Sequence, residues 1–279
     1  MLWNAFAVGS FSEARVEMAL ESKSAPVQSG QVSIVRAYRA WLYPEGETVG
    51  FSDGYMARSE GKYYLVSEGK WRVFASEALV KQFGFKIDGL PELSGKEMLV
   101  NPFGDPITDA SKLIEGMIIK AGGNYYQLQN GSLVSFVSDR AFLSRFSDVD
   151  AAEKGEEILQ QYPVSEKMIG FIDGTLLSYD QSVYAVSGEA LRPIASADVF
   201  MAKGYQWEKI VPATGEEFGI YTRGRLYTFG EPHPDGTVFF NTDKNQYFLV
   251  QNGKKRPISG DAVRFQFASV APIEVNSAS

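Results

Sequence analysis

From about residue 47 onward, short apolar runs alternate with turns bearing Gly, Asn or Asp, and the alternation repeats itself. Four acidic-glycine pairs mark the period: Asp53-Gly54, Glu115-Gly116, Asp173-Gly174 and Asp235-Gly236, spaced by 62, 58 and 62 residues. Each pair leads into a short apolar run, such as Met117-Ile118-Ile119 or Thr237-Val238-Phe239-Phe240. A polar turn follows, then a run centred on tyrosine: Tyr63-Tyr64-Leu65-Val66, Tyr125-Tyr126-Gln127-Leu128, Val183-Tyr184-Ala185-Val186 and Tyr247-Phe248-Leu249-Val250. A glycine turn at Gly69, Gly131, Gly188 or Gly253 precedes the third run. Short apolar runs separated by such turns predict antiparallel strands, so each unit opens with a three-stranded meander.

A helix start follows the third strand. Ser76, Ser138 and Ser196 are placed to accept a hydrogen bond from the first helical turn. Glu77, Asp139 and Asp198 add negative charge there, which suits the helix dipole. Gly84 and Gly204 are placed to close a helix of about two turns. In the fourth unit Gly260 stands where the serine is expected. The run Val35–Tyr43 occupies the same place before the first unit as Ile220–Tyr227 before the fourth, which allows a fourth strand supplied by the preceding stretch of chain.

The expected fold is mainly β with a minor α component. It comprises four tandem units of about 60 residues, each of three or four antiparallel strands plus one short helix. A propeller-like ring is the favoured arrangement because it limits exposed strand edges, with an open repeat solenoid as the alternative. The units run over about 47–108, 109–168, 169–230 and 231–279, within a repeat domain of 31–279. Residues 1–30 read as an N-terminal helix and linker, with helical spacing from Phe11 to Ser22 and a Ser/Pro/Gln/Gly-rich stretch after it. They lack the basic region and cleavage pattern of a signal peptide, while Leu2–Val8 also fits the tail of a removed membrane anchor.

Composition removes whole classes of chemistry. The chain has 279 residues, no cysteine and one histidine. Disulfides, thiol catalysis, Cys-ligated zinc and multi-His metal sites are therefore excluded, and no metal or other cofactor is expected. The net charge of −7 argues against a nucleic-acid partner. No apolar stretch is long enough to span a membrane as a helix. Absence of cysteine also fits export to a compartment where stray thiols are a liability.

The third unit combines Asp-Gly-Thr-Leu-Leu, Val-Tyr-Ala-Val-Ser-Gly, Leu-Arg-Pro-Ile-Ala-Ser and Gly204-Tyr205-Gln206-Trp207, and the fourth carries Gly253-Lys254-Lys255-Arg256-Pro257-Ile258. These resemble the VYxI, GKKRPI and GYxW-type repeats of exported bacterial cell-envelope proteins, including those of ultrasmall uncultured bacteria. The resemblance spans about 47–270. It is fair in the first unit and poor in the second, where Val134 takes the arginine position. It implies an extracytoplasmic location, at the cell surface or secreted, with attachment to an anchor outside this chain as an option. The expected function is non-catalytic: binding or scaffolding, through loops of the repeat array, of an envelope glycan, a wall polymer or a surface protein. An assembly subunit of a surface layer or filament, associating with itself, is one alternative; a metal-independent glycosidase or lyase is the other.

The candidate ligand contacts are the repeat-borne Arg72, Arg192 and Arg256, and Trp71 and Trp207 as stacking platforms. The same arginines serve equally as structural donors, because recurrence in three units is what a requirement of the fold produces. No catalytic residues are assigned. His233 sits in the rigid Pro232-His233-Pro234 turn and is the only candidate base for a Ser-His-Asp triad. Ser59-x-x-Lys62 and Ser67-x-x-Lys70 fall at expected hairpin turns rather than at a helix start. Asn241-x-Asp243-x-Asn245 lacks the glycine of a calcium loop and reads as a hairpin. Glu156-Glu157 and Glu216-Glu217 hold matching linker positions, which favours solvation over carboxylate-pair chemistry.

Overall fold

The computed structural model describes residues 43–276. The expectations for residues 1–30 and for the run 35–42 lie outside the described residues.

Each segment folds as the expected meander. The first contains β1 (Met56–Ser59), β2 (Lys62–Ser67) and β3 (Lys70–Val73), then α1 (Glu77–Phe83) and α2 (Gly95–Met98). The second contains β4 (Ile118–Ala121), β5 (Asn124–Gln129), β6 (Ser132–Phe136), α3 (Asp139–Leu143), β7 (Ala151–Glu153), α4 (Ile158–Gln161) and β8 (Val164–Ile169). The third contains β9 (Leu176–Tyr179), β10 (Ser182–Ser187), β11 (Ala190–Pro193), α5 (Ala197–Ala202), β12 (Ile210–Pro212), α6 (Gly215–Gly219) and β13 (Thr222–Arg223). The fourth contains β14 (Val238–Asn241), β15 (Gln246–Gln251), β16 (Lys254–Ile258), α7 (Gly260–Gln266) and β17 (Ile273–Val275).

Three of the four sheets are mixed rather than purely antiparallel, and β1-β2-β3 is antiparallel throughout. Their orders are β1-β2-β3, β7-β4-β5-β6-β8, β12-β9-β10-β11-β13 and β16-β15-β14-β17. After each capped helix the chain crosses back, so β7, β12 and β17 add in parallel to the first strand of their own meander. β8 and β13 add in parallel to the third strand. The first segment uses isolated bridges at these two places, Arg58 with Glu92 and Trp71 with Phe103. In the fourth segment the matching bridge joins Lys255 to Glu45, so the chain ahead of the first segment completes the sheet of the last. Its alignment differs from the sequence expectation: Glu45, not the run ending at Tyr43, corresponds to Arg223 of β13.

Local chemistry explains the turns and caps. The side chains of Ser76, Ser138 and Ser196 accept from the amides of Leu79, Ala141 and Val199. In the fourth segment α7 is capped by Ser259, which accepts from Ala262, and not left bare at Gly260. Each acidic-glycine pair ties the start of the first strand to the second hairpin turn. Asp53 accepts from Gly69 N at 2.7 Å, Glu115 from Asn130 and Gly131, Asp173 from Gly188 N at 2.8 Å, and Asp235 from Asn252 N at 2.8 Å. The paired glycine turns the chain at positive φ, 93° at Gly54 and 88° at Gly174, which an L side chain adopts with strain.

The chain divides into two compact units. One holds Thr48–Phe171 and Ser259–Ala268, the other Met1–Glu47, Ile172–Ile258 and Ser269–Ser279. The core of the first joins Val80, Phe83 and Phe85, from α1 and its exit, to Ile119, Tyr126 and Leu128 of the second meander. In the other unit Val183, Ile194 and Phe200 form one cluster, and Tyr43, Phe239, Val250 and Ile273 another.

Candidate functional site

The three repeat-borne arginines share one structural contact. The Nε of Arg72 donates to the carbonyl of Asp105 at 3.0 Å, that of Arg192 to Arg225 O at 3.4 Å, and that of Arg256 to Glu47 O at 2.8 Å. Each target lies on the outer segment that pairs with the arginine's own strand. That segment carries surplus length: Trp71–Phe74 spans three steps while its partners Phe103–Ile107 span four. The guanidinium thus satisfies a carbonyl that the irregular ladder leaves over.

A glycine precedes each target carbonyl, and the arginine stem lies over it. A Cβ at Gly46 would stand 2.8 Å from Arg256 Cγ, and one at Gly224 would stand 2.9 Å from Arg192 Cγ. Gly104 is similarly close to Lys70 and Arg72. The second segment lacks both partners: Val134 replaces the arginine and Ser165 the glycine, and β8 shows the larger slip, from Leu133–Val164 to Ser135–Met168.

The tryptophans divide. Trp71 is fully buried against Phe51, Tyr55 and Tyr64, and offers no face to a ligand. Trp207 is half-buried and stacks on Phe200, with ring centroids 4.0 Å apart.

A buried polar cluster gathers around His233, in the unit holding the third and fourth meanders. Lys203, the C-terminal cap of α5, is buried and donates to the carbonyls of Phe229, at 3.2 Å, and of Glu231. Its ammonium also lies 4.7 Å from the centre of the Tyr227 ring, and the Arg192 guanidinium lies 5.1 Å from the same ring. Arg192 pairs with the Glu231 carboxylate at 3.1 Å. His233 is buried, with Nε2 2.9 Å from Lys203 O and its own carbonyl accepting from the Tyr43 hydroxyl at 2.9 Å. Tyr205 and Tyr227 set their rings edge-on to the imidazole. Burial pushes the Tyr205 phenol up to about 12, and raises Tyr227 further still, so both stay protonated at neutral pH. Beside Tyr205 and Thr237 is a recess of about 10 Å³, also lined by Gln206, Lys209 and Ser269, with room for about one water.

The hydrogen bonds of this arrangement tie the end of α5 to the Phe229–His233 segment. A carbonyl only accepts, so His233 Nε2 carries the proton and donates to Lys203 O, whereas a triad base presents that nitrogen to a nucleophile. The Lys203 ammonium is engaged by two carbonyls. Among the described residues no group of three or more His, Asp or Glu side chains could hold a metal ion.

In the other compact unit the singular feature is Asp150. Its buried carboxylate accepts from Met56 N at 2.9 Å, Ser147 N at 2.9 Å and Ser147 Oγ at 3.0 Å. Burial pushes it up to about 6, against the opposing pull of those hydrogen bonds. Asn101 is likewise buried, bonding both backbone groups of Phe51 and the carbonyl of Gly69. Sequence reasoning missed Lys203, Asp150 and Asn101. Each sits in a linker or at a helix end, where a polar residue ordinarily faces water.

No protein-family model matches the chain, and no curated protein matches it. Solved structures with a partial likeness include the periplasmic assembly from the ESX-5 inner membrane complex, 9% identical, covering 67% of this chain and 71% of that chain at a TM-score of 0.18. An intact ESX-5 inner membrane complex is 10% identical over 67% of this chain, at a TM-score of 0.18. This chain spans 59% of that one, less than two thirds. Likeness at this level assigns neither fold nor function. No helix among the described residues is long and apolar enough to cross a membrane.

Proposed function

We infer that the chain is a non-catalytic, extracytoplasmic protein of the bacterial cell envelope that binds or scaffolds a protein partner. The observation that carries this reading is the use of its recurring polar residues. The arginines, the acidic-glycine pairs and the capping serines are consumed by hydrogen bonds inside their own sheets and turns. Among the exposed large apolar side chains, four lie on linking segments: Leu99 and Phe103 in one compact unit, 75% and 56% exposed, and Leu226 and Phe229 in the other, 43% and 50% exposed. Exposed aliphatic and phenylalanine side chains suit a protein surface better than a sugar, which asks for aromatic platforms with polar groups beside them. The extracytoplasmic placement is supported by the resemblance to exported envelope repeats and by the cysteine-free composition.

The test is binding of labelled protein to bacterial envelope fragments treated beforehand with either a protease or a wall hydrolase. Binding removed by protease, and lost in Phe103→Ser and Phe229→Ser, is the expected result. Binding removed by the wall hydrolase alone would replace the protein partner with a wall polymer. Release of new sugar ends from the fragments would overturn the non-catalytic reading.

A further inference from the structure

The sheet of the fourth segment is completed from a distant part of the chain. In the first three segments the third strand is bridged by residues lying 32, 31 and 32 positions later: Trp71 by Phe103, Leu133 by Val164 and Leu191 by Arg223. In the fourth, Lys255 is bridged by Glu45, 210 positions earlier. The place beside β16 is thus filled by chemical fit and not by chain connectivity.

The segment Tyr43–Glu47 fits that place residue by residue. The Tyr43 ring is buried, 6.3 Å from the Phe239 ring, in the cluster with Val250 and Ile273. Its hydroxyl donates to His233 O at 2.9 Å. Lys255 N donates to Pro44 O at 3.0 Å, and Gly46 N donates to Lys255 O at 2.9 Å. The Lys255 ammonium, on a side chain 9% exposed, lies 3.2 Å from the Glu45 carboxylate. Gly46 passes against the Arg256 stem, where a Cβ would stand 2.8 Å from Cγ. Arg256 Nε then donates to Glu47 O at 2.8 Å. At Thr48 the chain passes into the other compact unit. The strap is held to its sheet by these contacts rather than by a neighbouring hairpin.

Together they define a groove with a sequence preference: a buried aromatic, an acidic residue two positions on and a glycine three on, paired in parallel to β16. Strand addition of this kind takes affinity from main-chain bonds and specificity from the side-chain pockets. We propose that the strap is exchangeable: the Tyr43–Glu47 segment of a second copy enters the groove, and two copies associate by giving each other this segment. The second copy is the occupant because its segment is identical to the one seated in the groove. Each chain both donates and accepts, so reciprocal exchange closes at two copies. Within one chain the tethered strap competes at about millimolar effective concentration, so the wild-type chain closes on itself in dilute solution. This inference stands independently of the function proposed above.

The test is a charge exchange in the full chain. Glu45→Lys brings two like charges together at Lys255, and Lys255→Glu brings two together at Glu45. Each variant alone is expected to stay monomeric in sedimentation velocity at about 100 µM, because a second copy offers the same clash. An equimolar mixture is expected to dimerise at least tenfold more tightly than either variant alone. Only exchange between the two chains sets the introduced lysine against the introduced glutamate, and Glu45 against Lys255. The double variant E45K/K255E restores the pair within one chain, and is expected to stay monomeric and to show that both changes are tolerated. A labelled peptide of residues 43–47 gives a second reading. It should bind the Glu45→Lys chain, whose groove is intact and whose own strap is weakened, and bind the wild-type chain at least tenfold less tightly. A folded mixture that stays monomeric would overturn the proposal, as would a dimer that either variant forms equally well alone. A peptide that the Glu45→Lys chain fails to bind at about 1 mM would overturn it too, and decides alone if Lys255→Glu does not fold.

Discussion

Asp150 gives the sharpest stability prediction. Its carboxylate is buried and accepts from Met56 N and twice from Ser147, and burial raises its pKa from 3.8 to about 6. Below about pH 4 the group is protonated whether the chain is folded or unfolded, and it costs nothing. Between about pH 4 and pH 6 the unfolded chain ionises and the folded one does not, so stability falls as pH rises. Above about pH 6 the folded state carries the charge at full cost. A rise from 3.8 to about 6 is worth about 3 kcal/mol at 1.36 kcal/mol per pKa unit. Asp150→Asn removes the titration while keeping an acceptor for Met56 N. Urea unfolding of both proteins from pH 4 to pH 7 isolates the effect, because every other carboxylate is common to both. The stability of the wild-type chain relative to the variant should drop by about 2 kcal/mol over that range, the fall levelling off above pH 6. A difference that stays flat with pH would refute the reasoning and return Asp150 to an ordinary carboxylate.

Three further outcomes follow from the packing. Gly224→Ala forces a methyl against the Arg192 stem and Leu191 O and should cost about 1–3 kcal/mol. Adding Arg192→Val should cost less than the sum of the two single changes in a double-mutant cycle, because the second segment tolerates Val134 with Ser165 at these positions. Lys203→Met strands the carbonyls of Phe229 and Glu231 and should destabilise by about 2–5 kcal/mol in thermal or urea unfolding. Trp71→Ala empties the centre of the Phe51, Tyr55 and Tyr64 cluster and should cost about 3–5 kcal/mol, seen as a lowered urea midpoint with unchanged slope.

Much of the fold is written locally and is legible for that reason. Hairpin turns, serine caps and the acidic-glycine pairs are fixed by neighbours in sequence, and each recurs at the same offset. The outer strands are different. β7, β12 and β17 are three residues long and β13 is two, too short for an alternating pattern to register. Their pairing is parallel and set by contacts distant in sequence. Glu45 joins Lys255 across 210 positions, which no local signal announces. Ser259 shows a smaller failure of the same kind: the cap moves by one residue, and strict repeat offsets point to Gly260 instead. For the candidate site, sequence reasoning finds the recurring arginines but not their partners. The pairing of Arg72, Arg192 and Arg256 with Gly104, Gly224 and Gly46, and the joint loss of both residues in the second segment, emerges once strand register is known. Lys203 and Asp150 are illegible because burial of a charge depends on carbonyls or amides that the fold alone brings near.

The recurring arginines bond carbonyls within their own sheets, and in the function proposed above the exposed apolar residues make the contact with a partner. The most direct measurement pairs thermal unfolding with envelope binding for Arg72→Gln, Arg192→Gln and Arg256→Gln beside Phe103→Ser and Phe229→Ser. Each arginine variant should unfold at a lower temperature yet bind normally while folded, and the two phenylalanine variants should keep their stability and lose binding. Arginine variants that keep their melting temperature and lose binding would contradict this assignment, and would make those side chains the ligand contacts.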